Sequence, residues 1–366
     1  MSSPRTTHQP TTHRRRLLVA AALIAVPAVV LATPGAADAA PTHNRTRAAA
    51  GWLGRQLGPS HVITGQFGAD YGLTADVVLA LDSAKVGRVS ARRATTALKH
   101  HVLAYTGGGS PTERYAGSFA KLLVVATAQG VDPRAFGSGP RKNLVAGLRS
   151  LECTHVSAGC TAADRGRFHD VSQFGDFSGT IGQSLALIGL ERATRRGPSH
   201  ASVAFLVGQQ CANGGFPQDF DAATCTPSVD ATGFATQALV AVGTPGATAA
   251  AASAGRWLKR QQRADGSFSS TGTGSDVANA NSTALGAQGL TAVGRGKAAT
   301  QARRFLRGLQ VGCGGAVARR GEIRYAHHAP GDPVRATSQA VPALARVSLD
   351  TVTVTGSRRG LPRLAC

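Results

Sequence analysis

The chain has 366 residues, a formal net charge of +21, 42% hydrophobic residues and only 5% aromatic ones. Arginine outnumbers lysine 34 to 6, and the basic groups lie in helical and linker segments with no aromatics between them. That excludes a stacking binder of single-stranded nucleic acid and leaves solubility and loose attraction to anionic surfaces as the roles of the charge.

In chain order, residues 1–39 read as a bacterial export signal. Arg14, Arg15 and Arg16 form a basic head, an apolar stretch follows from Leu17 to Ala32, and Ala37-Asp38-Ala39 is a small-x-small cleavage site. The apolar stretch is shorter than the ~20 residues of a membrane-spanning helix. The consecutive arginines also resemble a twin-arginine signal. Its removal, with four arginines and one aspartate, leaves a mature chain near +18. No second apolar stretch reaches spanning length. The expected product is secreted, monomeric, and free or held to the envelope by charge.

From residue 40 the sequence repeats. A Thr or Ser followed seven residues later by Leu or Val recurs six times, with hydroxyls at Thr74, Ser118, Thr180, Thr232, Thr283 and Thr337. An amphipathic stretch ending in a glycine turn precedes most of them, as in "FLVGQQCANGGF" and "WLKRQQRADGSF", the second unit being the most degenerate. Each unit reads as a half-polar outer helix, a glycine loop and an apolar inner helix. Units of ~50 residues cannot bury a core alone and must stack. Both terminal units are as apolar as the middle ones, which favours a closed ring over a linear superhelix. The expected fold is therefore an all-α (α/α)6 toroid over 40–349, with 350–366 as a tail in which "TVTVTG" suggests a short strand. The aligned hydroxyls are expected to cap their inner helices, gathering six helix N-termini at one mouth that suits an anionic or carbonyl-rich ligand.

Six cysteines in an exported chain point to disulfides, and sequence proximity favours Cys153–Cys160, Cys211–Cys225 and Cys313–Cys366. No metal site is expected, since CxxC spacing is absent and "YAHHAPGDP", with His327, His328 and Asp332, reads as an exposed loop. Helical rotation places Asp76 and Gln339, two residues after the aligned hydroxyls, on one face with Gln237 and Gln288, five residues after them. That face is a candidate lumen lining.

The L-x-x-Q-x-x-D/N-G-G/S-F pattern resembles the QW repeat of terpenoid cyclases and protein prenyltransferases, with Phe in place of Trp. "TIGQSLALIGL", "SVDATGFATQAL" and "NANSTALGAQGL" are more similar to the α-barrel of the cobalamin carriers transcobalamin and intrinsic factor. That second resemblance implies Thr180, Gln183, Asp230, Asn281 and Gln288 as ligand contacts and a corrinoid as ligand, with no cofactor required. The first implies Asp230 as a cyclase acid. Yet both flanking carboxylates of the D-x-D-D motif are missing, and a lone carboxylate at a helix N-terminus should ionise easily. Asp230 is thus expected to be a helix cap first and a ligand contact second. The functional expectation is a non-catalytic binder of a small molecule or an anionic cell-envelope polymer. The alternative is a secreted enzyme on the same toroid: a glycan hydrolase or lyase, for which His169-Asp170 is a candidate pair, or a degenerate cyclase using Asp230.

Overall fold

The computed structural model describes residues 40–366 except 111, 140–141, 221–222 and 273–275; residues 1–39, which the sequence leads one to expect as an export signal, lie outside the described residues. In chain order the helices are α1 (Arg45–Gly54), α2 (Tyr71–Ala84), α3 (Arg88–His100), α4 (Val102–Gly107), α5 (Ala116–Gln129), α6 (Leu144–Arg149) and α7 (Thr180–Ala193). They continue as α8 (His200–Gly208), α9 (Val229–Val242), α10 (Pro245–Gln261), α11 (Ala280–Ala292), α12 (Gly296–Gly308) and α13 (Pro333–Ala345). The apolar helices α2, α5, α7, α9, α11 and α13 each pack on the next, and α13 packs back on α2. That closes the inner ring. Helices α1, α3, α6, α8, α10 and α12 form the outer layer, with α3, α10 and α12 clearly amphipathic, and the chain is an (α/α)6 toroid.

The recurring glutamine and glycine explain the closure. Gln210 Nε2 donates to the carbonyls of Gly214, in its own turn, and Ala250, on the next outer helix, at 2.9 and 2.8 Å. Gln262 repeats this with Gly266 and Ala298. Gln310 bonds Gly321 and reaches Arg45 of α1, joining the last unit to the first. The turn glycines lie against the same outer helices. A Cβ on Gly266, at φ +89°, would sit 2.6 Å from the backbone of Gln301. Only glycine combines that left-handed backbone with so close an approach.

The aligned hydroxyls do not cap their helices. In four units the helix begins three or four residues earlier, where Asp70, Ser228, Asn279 and Asp332 are the side-chain N-caps. Helix α5 begins two residues before Ser118, and α7 begins at Thr180 itself with Gly179 at the N-cap position. One turn inside, Thr74, Thr232, Thr283 and Thr337 accept the backbone N–H of Ile63, Phe216, Phe268 and Ile323 in the preceding loop. Each satisfies a loop donor that burial would otherwise strand. In the third unit Gln183 takes that role. Its Oε1 accepts from Phe168 N–H, and its Nε2 bonds the carbonyls of Gly166 and Ser202.

The C-terminal segment closes the ring's other face. "TVTVTG" is irregular rather than a strand, and the short strand at the end, Arg363–Leu364, instead pairs in parallel with Pro41–Thr42. Arg192 on α7 donates to the carbonyls of Leu349, Asp350 and Val352, and Val354 N–H bonds the Ala128 carbonyl at the end of α5. Leu349 and Val352 are buried there. Three disulfides complete the frame: Cys153–Cys160, Cys211–Cys225 and Cys313–Cys366, each with a Cα–Cα distance of 5.6 Å. No helix among the described residues is long and apolar enough to cross a membrane.

Candidate functional site at the mouth of the ring

Inner helices are sealed almost everywhere, so the few inner-helix residues that keep solvent near the N-terminal mouth define the lumen face. Among them, Gly72 and Asp76 on α2, Gly117 and Lys121 on α5, Gly182 on α7, Asp230 and Phe234 on α9, Asn281 on α11, and Arg335 and Gln339 on α13 follow a helical spacing. Most are i, i+4 pairs, one helical stripe per unit. On α2, α9, α11 and α13 the stripe begins two residues before the aligned hydroxyl, on α5 one residue before it, and on α7 Gly182 lies two residues after it. Asp76 and Gln339 lie on it as expected.

The polar half of the mouth spans α13, α2 and α5. Lys121 Nζ is 2.9 Å from Asp76 and also donates to the Gly72 carbonyl. Arg335 reaches Asp70 across the α13–α2 seam at 3.5 Å. Burial depresses the Lys121 ammonium, but the Asp76 carboxylate outweighs it and leaves the pKa above the ordinary lysine value. Half-buried Tyr105 stands beside this pair, its hydroxyl pKa pushed up by desolvation. Neither Lys121 nor Arg335 was selected from the sequence; a lone lysine inside the apolar run "FAKLLVV" was the available signal.

The apolar half spans α7, α9 and α11. Here Asp230 sits with Phe234 one turn further along its stripe. Ser228, not Asp230, is the N-cap: its Oγ accepts from Asp230 N–H and Ala231 N–H. Burial raises the Asp230 pKa above 3.8, opposed only by the Ser282 hydroxyl. The expectation of easy ionisation is therefore reversed. Helix-end charge stabilisation is typically ~0.3–1 kcal/mol, whereas desolvation moves carboxyl pKa values by several units. Asp230 Oδ1, Asn281 Oδ1 and Gln339 Oε1 are buried without hydrogen-bond partners among the described residues.

The other expected contacts lie elsewhere. Gln183 is sealed in the α7–α8 seam, with its amide engaged as described above. Gln237 Oε1 accepts from Leu349 N–H and the Ser348 hydroxyl of the closing segment. Gln288 Nε2 donates to the Gln339 carbonyl, tying α11 to α13. Thr180 is fully buried at the start of α7 with Oγ1 unpartnered. His169 and Asp170 engage different partners. The His169 ring bonds the Leu151 carbonyl, while Asp170 accepts the Ala116 N–H at 2.7 Å and so caps α5.

Between the starts of α5 and α7, a cavity of about 320 Å³ opens at the mouth, lined by Tyr105, Lys121, Asp170, Phe177 and Ile181 among others. The Asp170 pKa is raised, mainly by burial. Phe67, on the hairpin before α2, and Phe174 and Phe177, before α7, are largely exposed on loops at this end. The one cluster of His, Cys and carboxylate groups with metal-ligand spacing among the described residues is Cys153, Cys160 and His169, and its sulfurs form a disulfide. His327 and His328 lie side by side, with rings 6.1 Å apart, but form no metal-ligand cluster with Asp332 among the described residues: His327 packs edge-on against Phe305 and Asp332 caps α13.

This architecture is an α/α toroid, a fold that solved enzymes of different activities share. No protein-family model matches the chain, and no curated protein matches it by sequence. Among solved structures it is similar to the type II terpene cyclase MstE from Scytonema bound to merosterolic acid A, with TM-score 0.58 and 15% identity over 83% of this chain and 96% of that one. It is similar to unsaturated glucuronyl hydrolase from Bacillus sp. GL1, with TM-score 0.56 and 12% identity over 82% and 95%. A protein from Actinoplanes gives TM-score 0.57 and 15% identity over 82% and 98%. At these identities the likeness concerns the fold.

Proposed function

We propose that the ring is an exported enzyme that protonates a carbon–carbon double bond in an unsaturated small molecule, with Asp230 as the acid. The observation that carries this reading is the Asp230 carboxyl itself: desolvated, raised in pKa, and unpartnered at Oδ1 on the apolar half of the lumen. A general acid must hold its proton near working pH, and burial is how a carboxyl does so. The proton would add to one alkene carbon, whose π pair forms the new C–H bond and leaves positive charge on its neighbour. A second alkene or a water closes the reaction and releases a proton. Lys121 and Arg335 face the other half and suit an anionic head group on the substrate. The comparison proteins support the reading by analogy, since one is a cyclase captured with geranylgeranyl dihydroxybenzoate and the other a hydrolase of unsaturated glucuronyl groups.

A second reading, retention of a small molecule without chemistry, draws on the unpaired acceptors of Asp230, Asn281 and Gln339. Together they suit a donor-rich ligand such as the amides of a corrinoid.

Incubation in deuterated water with polyprenyl phenols and unsaturated uronyl oligosaccharides should give a product carrying one new C–D bond. Asp230→Asn should abolish it while leaving the melting transition intact. The rate should persist above pH 3.8 and fall as pH rises through the elevated Asp230 pKa. Full turnover by Asp230→Asn would rule out the acid. No turnover on any probe, with tight corrinoid binding, would favour the second reading.

A further inference from the structure

We propose that the opposite face of the ring holds a second site, for a ligand carrying adjacent phosphate groups. This inference is independent of the lumen acid. At the ends of α2 and α13 lies a cleft of about 650 Å³ whose charged lining is Arg45, Arg47, Lys85, Arg307 and Arg346. A neighbouring cavity of about 350 Å³ shares Arg47 and adds Arg358 and Arg359. No carboxylate among the described residues lines either one. Asp82, near Lys85, is fully buried and lines neither.

The helix termini explain only part of this clustering. Lys85 and Arg346 are the C-caps of α2 and α13, where a cation complements the helix dipole. Arg45 and Arg47 stand in the first turn of α1, where the dipole opposes a cation and an acid would be favoured. Lys85 Nζ is engaged by the Thr353 carbonyl, and Arg45 by Gln310. Arg47, Arg307 and Arg346 donate no side-chain hydrogen bond and join no ion pair among the described residues, so their forks are available. Behind them Arg303 is buried on two threonine hydroxyls, its pKa lowered by burial and then by Arg346 and Arg307. Like charges held this close repel one another until an anion enters.

Planar arginine forks match phosphate oxygens two at a time. Two cavities joined at Arg47 fit at least two phosphates in sequence, as in a linear oligophosphate or a phosphodiester chain. The α1 start adds the free N–H groups of Arg45 and Thr46 to the same cleft.

Calorimetry at roughly 50 mM salt, where phosphate contacts count most, tests the site. The probes are tripolyphosphate, a glycerol-phosphate oligomer, phosphatidylglycerol vesicles and oligothymidylate. One saturable site is expected for tripolyphosphate or the oligomer. Tighter binding of the first points to a free phosphorylated small molecule, and of the second to an envelope polymer. Arg47→Glu and Arg307→Glu should each weaken binding about tenfold or more, with Arg93→Glu, on α3 and lining neither cavity, within about twofold of the parent. Melting curves check that all three variants fold. Equal weakening by all three would reduce the site to diffuse charge and overturn the proposal. So would binding confined to vesicles or oligothymidylate without competition by tripolyphosphate.

Discussion

Asp82 is a deeply desolvated carboxyl, and it makes a sharp prediction. It lies on α2 near the closing segment with no exposed surface. Oδ2 accepts a 2.6 Å hydrogen bond from Gln129 Nε2, and Oδ1 has no partner. Burial raises its pKa from 3.8 to about 7, against the opposing effects of Gln129, Lys85 and Arg192. The unfolded chain therefore loses this proton near pH 3.8, while the folded chain keeps it to about pH 7. Between those values the native state binds more protons than the unfolded one, so stability falls as pH rises. Below pH 3.8 the group contributes nothing; above about 7 the loss is complete. At ~1.4 kcal/mol per tenfold, the full loss is about 4 kcal/mol. Asp82→Asn, an isostere of the protonated form, should thus gain more stability at pH 8 than at pH 5, by about 3 kcal/mol. Urea unfolding of both proteins at the two pH values, disulfides intact, gives the comparison. An equal effect at both pH values would show that Asp82 is ionised in the fold and would refute the desolvation argument.

Gly266→Ala should destabilise the ring by more than ~1 kcal/mol, because it strains a positive φ and also meets the Gln301 backbone; a melting transition matching the parent would show that the turn can shift. Cys313→Ser with Cys366→Ser opens a link spanning 53 residues, worth about 4 kcal/mol in chain entropy. Limited proteolysis should then cut the tail after α13 before the rest of the ring, and simultaneous loss of the whole domain would contradict a locally tied tail.

The repeat spacing, the closed ring and the three cysteine pairs were readable from sequence because each rests on local pattern. Gln210, Gln262 and Gln310 recur at the same place before a glycine turn, and this stitch, repeated in the last three units, joins each to the next and the last to the first. The placement of the helix starts was not readable. A threonine one turn inside a helix looks like a cap until the loop that it bonds is folded over it, and Gln183 replaces Thr180 in that task without any change in the local pattern. Asp230 shows the same limit for the site. Its sequence neighbours predict an ionised carboxylate, but the packing of α9 against α7 and α11 removes the water that ionisation needs. Lys121 and Arg335 meet Asp76 and Asp70 only across helix seams, and the arginine cleft gathers residues from α1, α2, α12 and α13. What the sequence determined by itself was the repeating unit, since hydrophobic period and turn chemistry act over a few residues. Which side chains lose solvent, and which charges meet, depends on distances across the closed ring, and only the tertiary structure decided those.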